Sequence, residues 1–324
     1  MFASGAGLGD PGAMSNHSGH GHHHDGHHSL HHEPSAHGHH HGGSEPDWDV
    51  MAPLLERNAE LSSAQYTEAA RWIAALPTAP EVRRVLDVGA GPGVVACLLA
   101  EVFPDAEVVA VDGTPALLER TRDRARRLGL DGRVTTLHAT LPEELSALGE
   151  ADLIWAGNTL HHMGDQRAVL AGFGGLLRPG GTVALVEGGL QPRQLPRDLG
   201  FGRPGLEARM EAAEAELFQE MRAELPDARR EVENWAALFD AAGLTPQGTR
   251  SFLLDLPAPL GDAAREQVVA DFTRRREGLR DHLGADDNAV LDRLLDPGDP
   301  ASLHRRPDVF LLLARTLHLG RRDA

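Results

Sequence analysis

Val85-Leu86-Asp87-Val88-Gly89-Ala90-Gly91-Pro92-Gly93 runs directly into Val94-Val95-Ala96-Cys97-Leu98-Leu99-Ala100. An apolar run, a glycine-spaced turn and a second apolar run read as a strand, a tight turn and the first turns of a helix. The spacing alone carries little, because Gly5, Gly7 and Gly9 repeat it with no apolar run on either side. Context gives it meaning. A strand-to-helix turn of glycines brings the backbone close to a ligand and presents free amides at a helix N-terminus. Gly89, Gly91 and Gly93 have a second reading as a tight turn and nothing more.

Working outward, strand and helix patterns alternate at short intervals. Strands are expected over 82–88, 107–111, 133–138, 152–156 and 182–187, and helices over 94–102, 115–128 and 166–177. Residues 50–76 read as one or two helices stopped by Pro77. Two late strands are expected over 249–256 and 308–317. This rhythm is that of an α/β fold, a doubly wound, Rossmann-like, seven-stranded and mostly parallel sheet. Insertions at about 190–232 and 257–306 break it. In the first, Leu206, Met210, Ala213, Leu217 and Met221 recur at helical spacing, with ordinary core packing as the reading of the methionines. In the second, Val268, Val269, Phe272, Leu279 and Leu283 do the same. Both insertions are expected to form a helical cap over the carboxyl ends of the strands, where such sheets bind ligands.

Nineteen residues beyond Gly93, Val108-Val109-Ala110-Val111 ends in Asp112-Gly113. A carboxylate at the end of the second strand can accept two hydrogen bonds from the ribose hydroxyls of an adenosine. The rival reading of Asp112 is a helix N-cap. The third glycine of a dinucleotide turn would fall on Val94, which disfavours an NAD-dependent oxidoreductase.

Residues 1–46 form a separate zone of Gly, Ser, His and Pro, with 13 of the 19 histidines between His17 and His41. Such a segment is expected to be disordered, leaving 47–324 as the folded domain. No spacing in it fixes a tetrahedral metal site, so its reading is a tail with incidental metal affinity; the alternative is a metal-handling protein whose folded part senses a nucleoside. Met14 precedes the His-rich part and is a candidate start.

Composition narrows the partners. Apolar residues are 41% and charged residues 24%, enough for a core. The 31 basic residues are all arginine against 48 acidic ones, a formal net charge of −17 that repels phosphate backbones, so no nucleic-acid partner is expected. Aromatic residues at 4% make no base-stacking platform. No apolar run approaches the roughly 20 residues of a membrane span. One cysteine, Cys97, in a helical apolar run and no secretory leader point to the cytoplasm.

With these motifs assembled, the chain resembles a class I S-adenosylmethionine-dependent methyltransferase, closely over 82–190 and more weakly over 235–317. Leu177-Arg178-Pro179-Gly180-Gly181-Thr182 matches the turn into the fifth strand, and Leu238-Phe239-Asp240-Ala241-Ala242-Gly243-Leu244 the helix end before the sixth. The resemblance implies S-adenosylmethionine as cofactor and a small molecule as methyl acceptor, most simply at a hydroxyl. By it, Asp87, Gly89, Ala90, Gly91 and Gly93 hold the methionine end, Asp112 with Gly113 the ribose, and Thr140-Leu141 borders the adenine. Related proteins often carry Asp at or near the place of Thr140. Asp87 has a second reading as a turn carboxylate. Asn158, after the fourth strand, would lie beside the methyl group, or serve the turn. Leu160-His161-His162-Met163-Gly164-Asp165 resembles the Leu-His-Asp-Trp-x-Asp segment of small-molecule O-methyltransferases, in which the histidine matching His161 is the general base. His162 and Met163 depart from that pattern, and the alternative for His161 is a structural histidine.

Overall fold

The computed structural model describes residues 48–76 and 81–323. Pro77 and the histidines from His17 to His41 lie outside the described residues. Two helices lead, α1 (Trp48–Leu61) and α2 (Ser63–Ala74). Then come β1 (Arg84–Val88), α3 (Val94–Val102), β2 (Glu107–Asp112), α4 (Pro115–Arg127), β3 (Val134–His138), β4 (Ala151–Gly157), α5 (Gln166–Leu176) and β5 (Leu177–Arg193). The chain continues through α6 (Leu206–Glu224), α7 (Trp235–Ala241), β6 (Thr245–Leu256), α8 (Asp262–Leu279), α9 (Ala285–Leu295) and β7 (Leu311–Arg321).

The seven strands form one sheet in the order β3-β2-β1-β4-β5-β7-β6. Pairings are parallel except at β7, which runs antiparallel to both β5 and β6. Strand order reverses between β1 and β4, and the crevice at their carboxyl ends is where ligands of such sheets lodge.

Alternation along the strands feeds two cores. On one face Val85, Val108, Leu153, Trp155, Ala184 and Val186 pack under α2 and α3. On the other, Leu86, Val88, Ile154, Val183 and Leu185 pack under α5 and α7. A third core holds the insertions together: Met210 of α6, Val268 and Phe272 of α8 and Leu291 and Leu294 of α9 are fully buried, with Leu254, Leu311 and Leu313 of the strands. Each such side chain contributes roughly 1.5–3 kcal/mol by leaving water. Met210 thus packs as core.

The early elements lie within about two residues of their expected bounds, and the late strands do not. β5 covers Leu177–Arg193 rather than 182–187, and β7 covers Leu311–Arg321 rather than 308–317. The extension of β5 is hidden because Gly188-Gly189-Leu190-Gln191-Pro192 reads as loop by composition. The strand absorbs it with register shifts between Val186 and Gly189 and between Leu190 and Arg193. Gly189 has φ +116°, and a Cβ there would meet Ala314 O at 2.2 Å, so the close approach of β5 to β7 requires glycine. Among the described residues no helix is long and apolar enough to cross a membrane.

Candidate functional site

The loop between β1 and α3 is built by the backbone of β2. Gly89 N and Ala90 N both donate to Val111 O, at 2.9 and 3.0 Å. Gly91 N donates to Asp112 Oδ2 at 2.9 Å, and Thr114 N to Asp112 Oδ1 at 2.8 Å. The N-cap position of α4 belongs to Thr114, so the N-cap reading of Asp112 fails and its carboxylate instead ties the glycine loop to the end of β2. Gly93 occupies the N-cap position of α3 at φ +75°. A Cβ built at Gly91 meets nothing within 4 Å. The loop therefore presents its middle to open space while its ends are fixed.

Asp87 lies beneath this loop and is 2% exposed. Its Oδ2 is buried with no hydrogen-bond partner. Burial, aided by the nearby Asp112 charge, pushes its carboxyl up to about 8, while a hydrogen bond from the Ala96 backbone pulls the other way. A buried carboxylate short of partners beside a helix N-terminus suits the ammonium of an amino acid. With the open cradle over Gly91, these residues fit the methionine end of S-adenosylmethionine.

The next loop places the remaining expected residues. His138 Nε2 lies 3.0 Å from Gly113 O, joining the end of β3 to the turn after β2. Thr140 is exposed, and its N donates to Glu144 Oε2 at 2.7 Å. Leu141 is 6% exposed and its side chain packs in the core beneath α5. Thr140 and Leu141 are thus one strand away from the glycine loop and connected to it through His138 and Gly113.

Beyond β4, Asn158 is exposed, adopts φ +51° and donates from its N to Val186 O at 2.9 Å. Thr159 Oγ1 donates to Val88 O at 3.2 Å, and a Cβ at Gly89 would strike that hydroxyl at 2.2 Å. The loop after β4 therefore sits directly against the glycine loop.

Leu160–His162 form one 3-10 turn. That turn is held by Glu187, which the sequence reading missed. Glu187 Oε1 accepts from Thr159 N at 3.0 Å and Leu160 N at 2.9 Å, and Glu187 Oε2 lies 2.9 Å from His161 Nδ1. Glu187 is 5% exposed. Its signal in the sequence is a lone carboxylate at the end of the apolar run Thr182-Val183-Ala184-Leu185-Val186. From α6, Phe218 approaches the His161 ring at 5.6 Å, and Arg222 Nη1 donates to His161 O at 2.7 Å and Met163 O at 2.8 Å. The cap thus touches the turn that carries His161.

Residues 86–183 match the profile of a methyltransferase domain family. Over 280 residues the chain is 29% identical to the trans-aconitate 2-methyltransferase of Streptomyces coelicolor, covering 84% of this chain and 80% of that one. It is 35% identical over 102 residues to the 27-O-demethylrifamycin SV methyltransferase of Amycolatopsis mediterranei, covering 32% and 37% of the two chains. A solved S-adenosylmethionine-dependent methyltransferase of Thiobacillus denitrificans, in complex with S-adenosylhomocysteine, superimposes with a TM-score of 0.46 at 17% identity, covering 85% and 99%.

Proposed function

The chain belongs to the class I S-adenosylmethionine-dependent methyltransferases, and on that premise we propose that it methylates a hydroxyl oxygen of a small molecule with His161 as general base. The observation that carries this reading is the contact of His161 Nδ1 with Glu187 Oε2 at 2.9 Å. A carboxylate on Nδ1 fixes the tautomer with its proton there, so Nε2 is the acceptor. Glu187 is itself held by the Thr159 and Leu160 amides, which keeps the ring from rotating.

When bound, S-adenosylmethionine supplies an electrophilic methyl group on a sulfonium. The chain positions and deprotonates. Asp87 and the amides at the start of α3 orient the amino-acid end, and Asp112 the ribose. Phe218 and Arg222 of the cap close over the His161 turn and exclude water. The free Nε2 of His161 takes up the hydroxyl proton as the oxygen attacks in line. The lone, buried Cys97 suits a reducing compartment, and the cytoplasm is the proposed location.

The test is His161→Gln. Turnover of a hydroxyl acceptor is expected to fall by about 10² or more, with cofactor affinity unchanged by calorimetry. A near-normal rate from pH 6 to 9 removes His161 from proton transfer and leaves a catalyst that acts by positioning.

A further inference from the structure

β7 carries Arg315 between Leu313 and Leu317 on one face of the sheet. Leu313 packs into the cap core and Leu317 into the core under α2 and α3, so Arg315 stands in the seam between the two. Its direct neighbours across the sheet are Gly189 of β5 and Phe252 of β6. Gly189 has no side chain to offer it, and Phe252 has no charge.

Arg315 is half-buried, and its Nε is buried without a hydrogen-bond partner. Among the described residues its guanidinium makes no ion pair and no hydrogen bond. The other arginines that lack a side-chain partner are exposed to water. A guanidinium is a standing charge, and here its buried Nε has lost water without gaining a partner while its outer nitrogens stay free to meet one. The position is therefore that of a cation awaiting an anion.

Arg315 lies beside the end of β5 that leads out of the Glu187 turn. Gly188 lies between Glu187 and Gly189, and a Cβ built there meets nothing within 4 Å. Arg315 is paired with Gly189, two residues beyond Glu187 on β5. Beside Phe252, Gln65 of α2 donates from Nε2 to Phe252 O at 2.7 Å and keeps a buried Oε1 with no partner. One anion for Arg315 and one donor for Gln65 is the pairing that a small hydroxy acid offers.

We propose that Arg315 holds a carboxylate of the methyl acceptor, with Gln65 Oε1 receiving a donor group of the same molecule. The planar fork of arginine meets the two oxygens of a carboxylate. A phosphate dianion suits the place less, because one guanidinium would face it while Asp87, Asp112 and Glu187 line the neighbouring strand ends. This inference rests on the reading of the β4 and β5 ends as the acceptor site.

The test is binding to the full chain saturated with S-adenosylhomocysteine, so that no turnover intervenes. The probes are citrate, trans-aconitate and the neutral trimethyl citrate. At least one of the two carboxylates is expected to bind wild type with an affinity that salt weakens, and the ester not to bind. Arg315→Gln is expected to weaken that binding tenfold or more and Arg315→Lys less, with the S-adenosylhomocysteine affinity of all three proteins equal. Equal carboxylate binding by Arg315→Gln overturns the proposal, and so does a wild-type protein that binds neither acid. A normal rate in His161→Gln together with lost acid binding in Arg315→Gln sinks the hydroxyl-base reading and leaves the acid subsite standing.

Discussion

Gly91 N and Asp112 Oδ2 are 2.9 Å apart, so the glycine loop after β1 and the carboxylate at the end of β2 are one rigid unit. Asp112 Oδ1 holds Thr114 N at 2.8 Å on the other side. Removing the carboxylate therefore does two things at once. Asp112→Ala is expected to lower S-adenosylmethionine affinity by more than the roughly tenfold to hundredfold of one lost charge-assisted contact, because the loop also loses its anchor. Asp112→Asn keeps one acceptor oxygen and is expected to fall between wild type and Asp112→Ala. Calorimetric titration of the three proteins checks the order.

Asp87 gives a stability signature of known sign. Its carboxyl sits at about 8 in the folded protein and near 4 when unfolded. The folded state therefore favours the proton, and stability present below pH 4 is lost progressively as pH rises to about 8. Asp87→Asn mimics the protonated acid. It is expected to match wild type in urea melts near pH 4 to 5 and to exceed it by a few kcal/mol at pH 8, without cofactor. The same variant is expected to bind S-adenosylmethionine more weakly. In wild type, binding at pH 7 is expected to release a proton, seen as an apparent enthalpy that varies with the ionisation enthalpy of the buffer.

Glu187 offers a test of position rather than of charge alone. Glu187→Gln keeps an acceptor for the Thr159 and Leu160 amides, but its amide weakens the control of the His161 tautomer. The expected result is a fall in kcat with a shifted pH profile, KM for the acceptor nearly constant and cofactor affinity unchanged. A uniform loss of cofactor affinity instead assigns Glu187 to holding the loop.

The cap is locked through one buried carboxylate. Arg209 Nε donates to Asp287 Oδ2 at 2.7 Å and Arg209 Nη2 to Oδ1 at 2.6 Å, joining α6 to α9, and Asp287 is held well below the usual carboxylate range by it. The Asp287 side chain is 4% exposed and that of Arg209 26%. Arg209→Met strands a buried charge that only the exposed Arg203 still meets at 3.3 Å. A loss of about 2–4 kcal/mol is expected in thermal or urea unfolding at neutral pH. The loss is expected to shrink as acid protonates Asp287.

What could be read in advance depended on distance along the chain. The β1, α3, β2 unit was legible because each signal is local: an apolar run, the glycines at 89, 91 and 93, and a carboxylate on the following strand. The place of Asp112 at the end of β2 was legible this way, although its bonds to Gly91 and Thr114 were not. Glu187 was missed because its partners are 26 to 28 residues upstream and no pattern in the sequence links them. Arg315 sits in Leu311-Leu312-Leu313-Ala314-Arg315, where a single charge in an apolar run looks like an ordinary strand residue turned to water. Only the pairing of β7 with β5 and β6 shows that it faces inward. The strand extensions failed for a related reason, since Gly188-Gly189 marks a loop by composition and becomes a bulge only when β7 lies beside it.

The cap core rests on Leu254, Leu311 and Leu313, which belong to strands of the main sheet itself. Its floor is continuous β-ladder, Leu254 paired with Leu313 and Leu256 with Leu311, so the cap helices share their core with the main sheet. Helix α1 is tied differently, by the exposed ion pair Arg57–Glu266 to α8 and by the largely buried pair Arg124–Glu56 to α4. An exposed pair weakens with salt and a buried one hardly does, so rising ionic strength is expected to loosen α1 from α8 before it loosens α1 from α4.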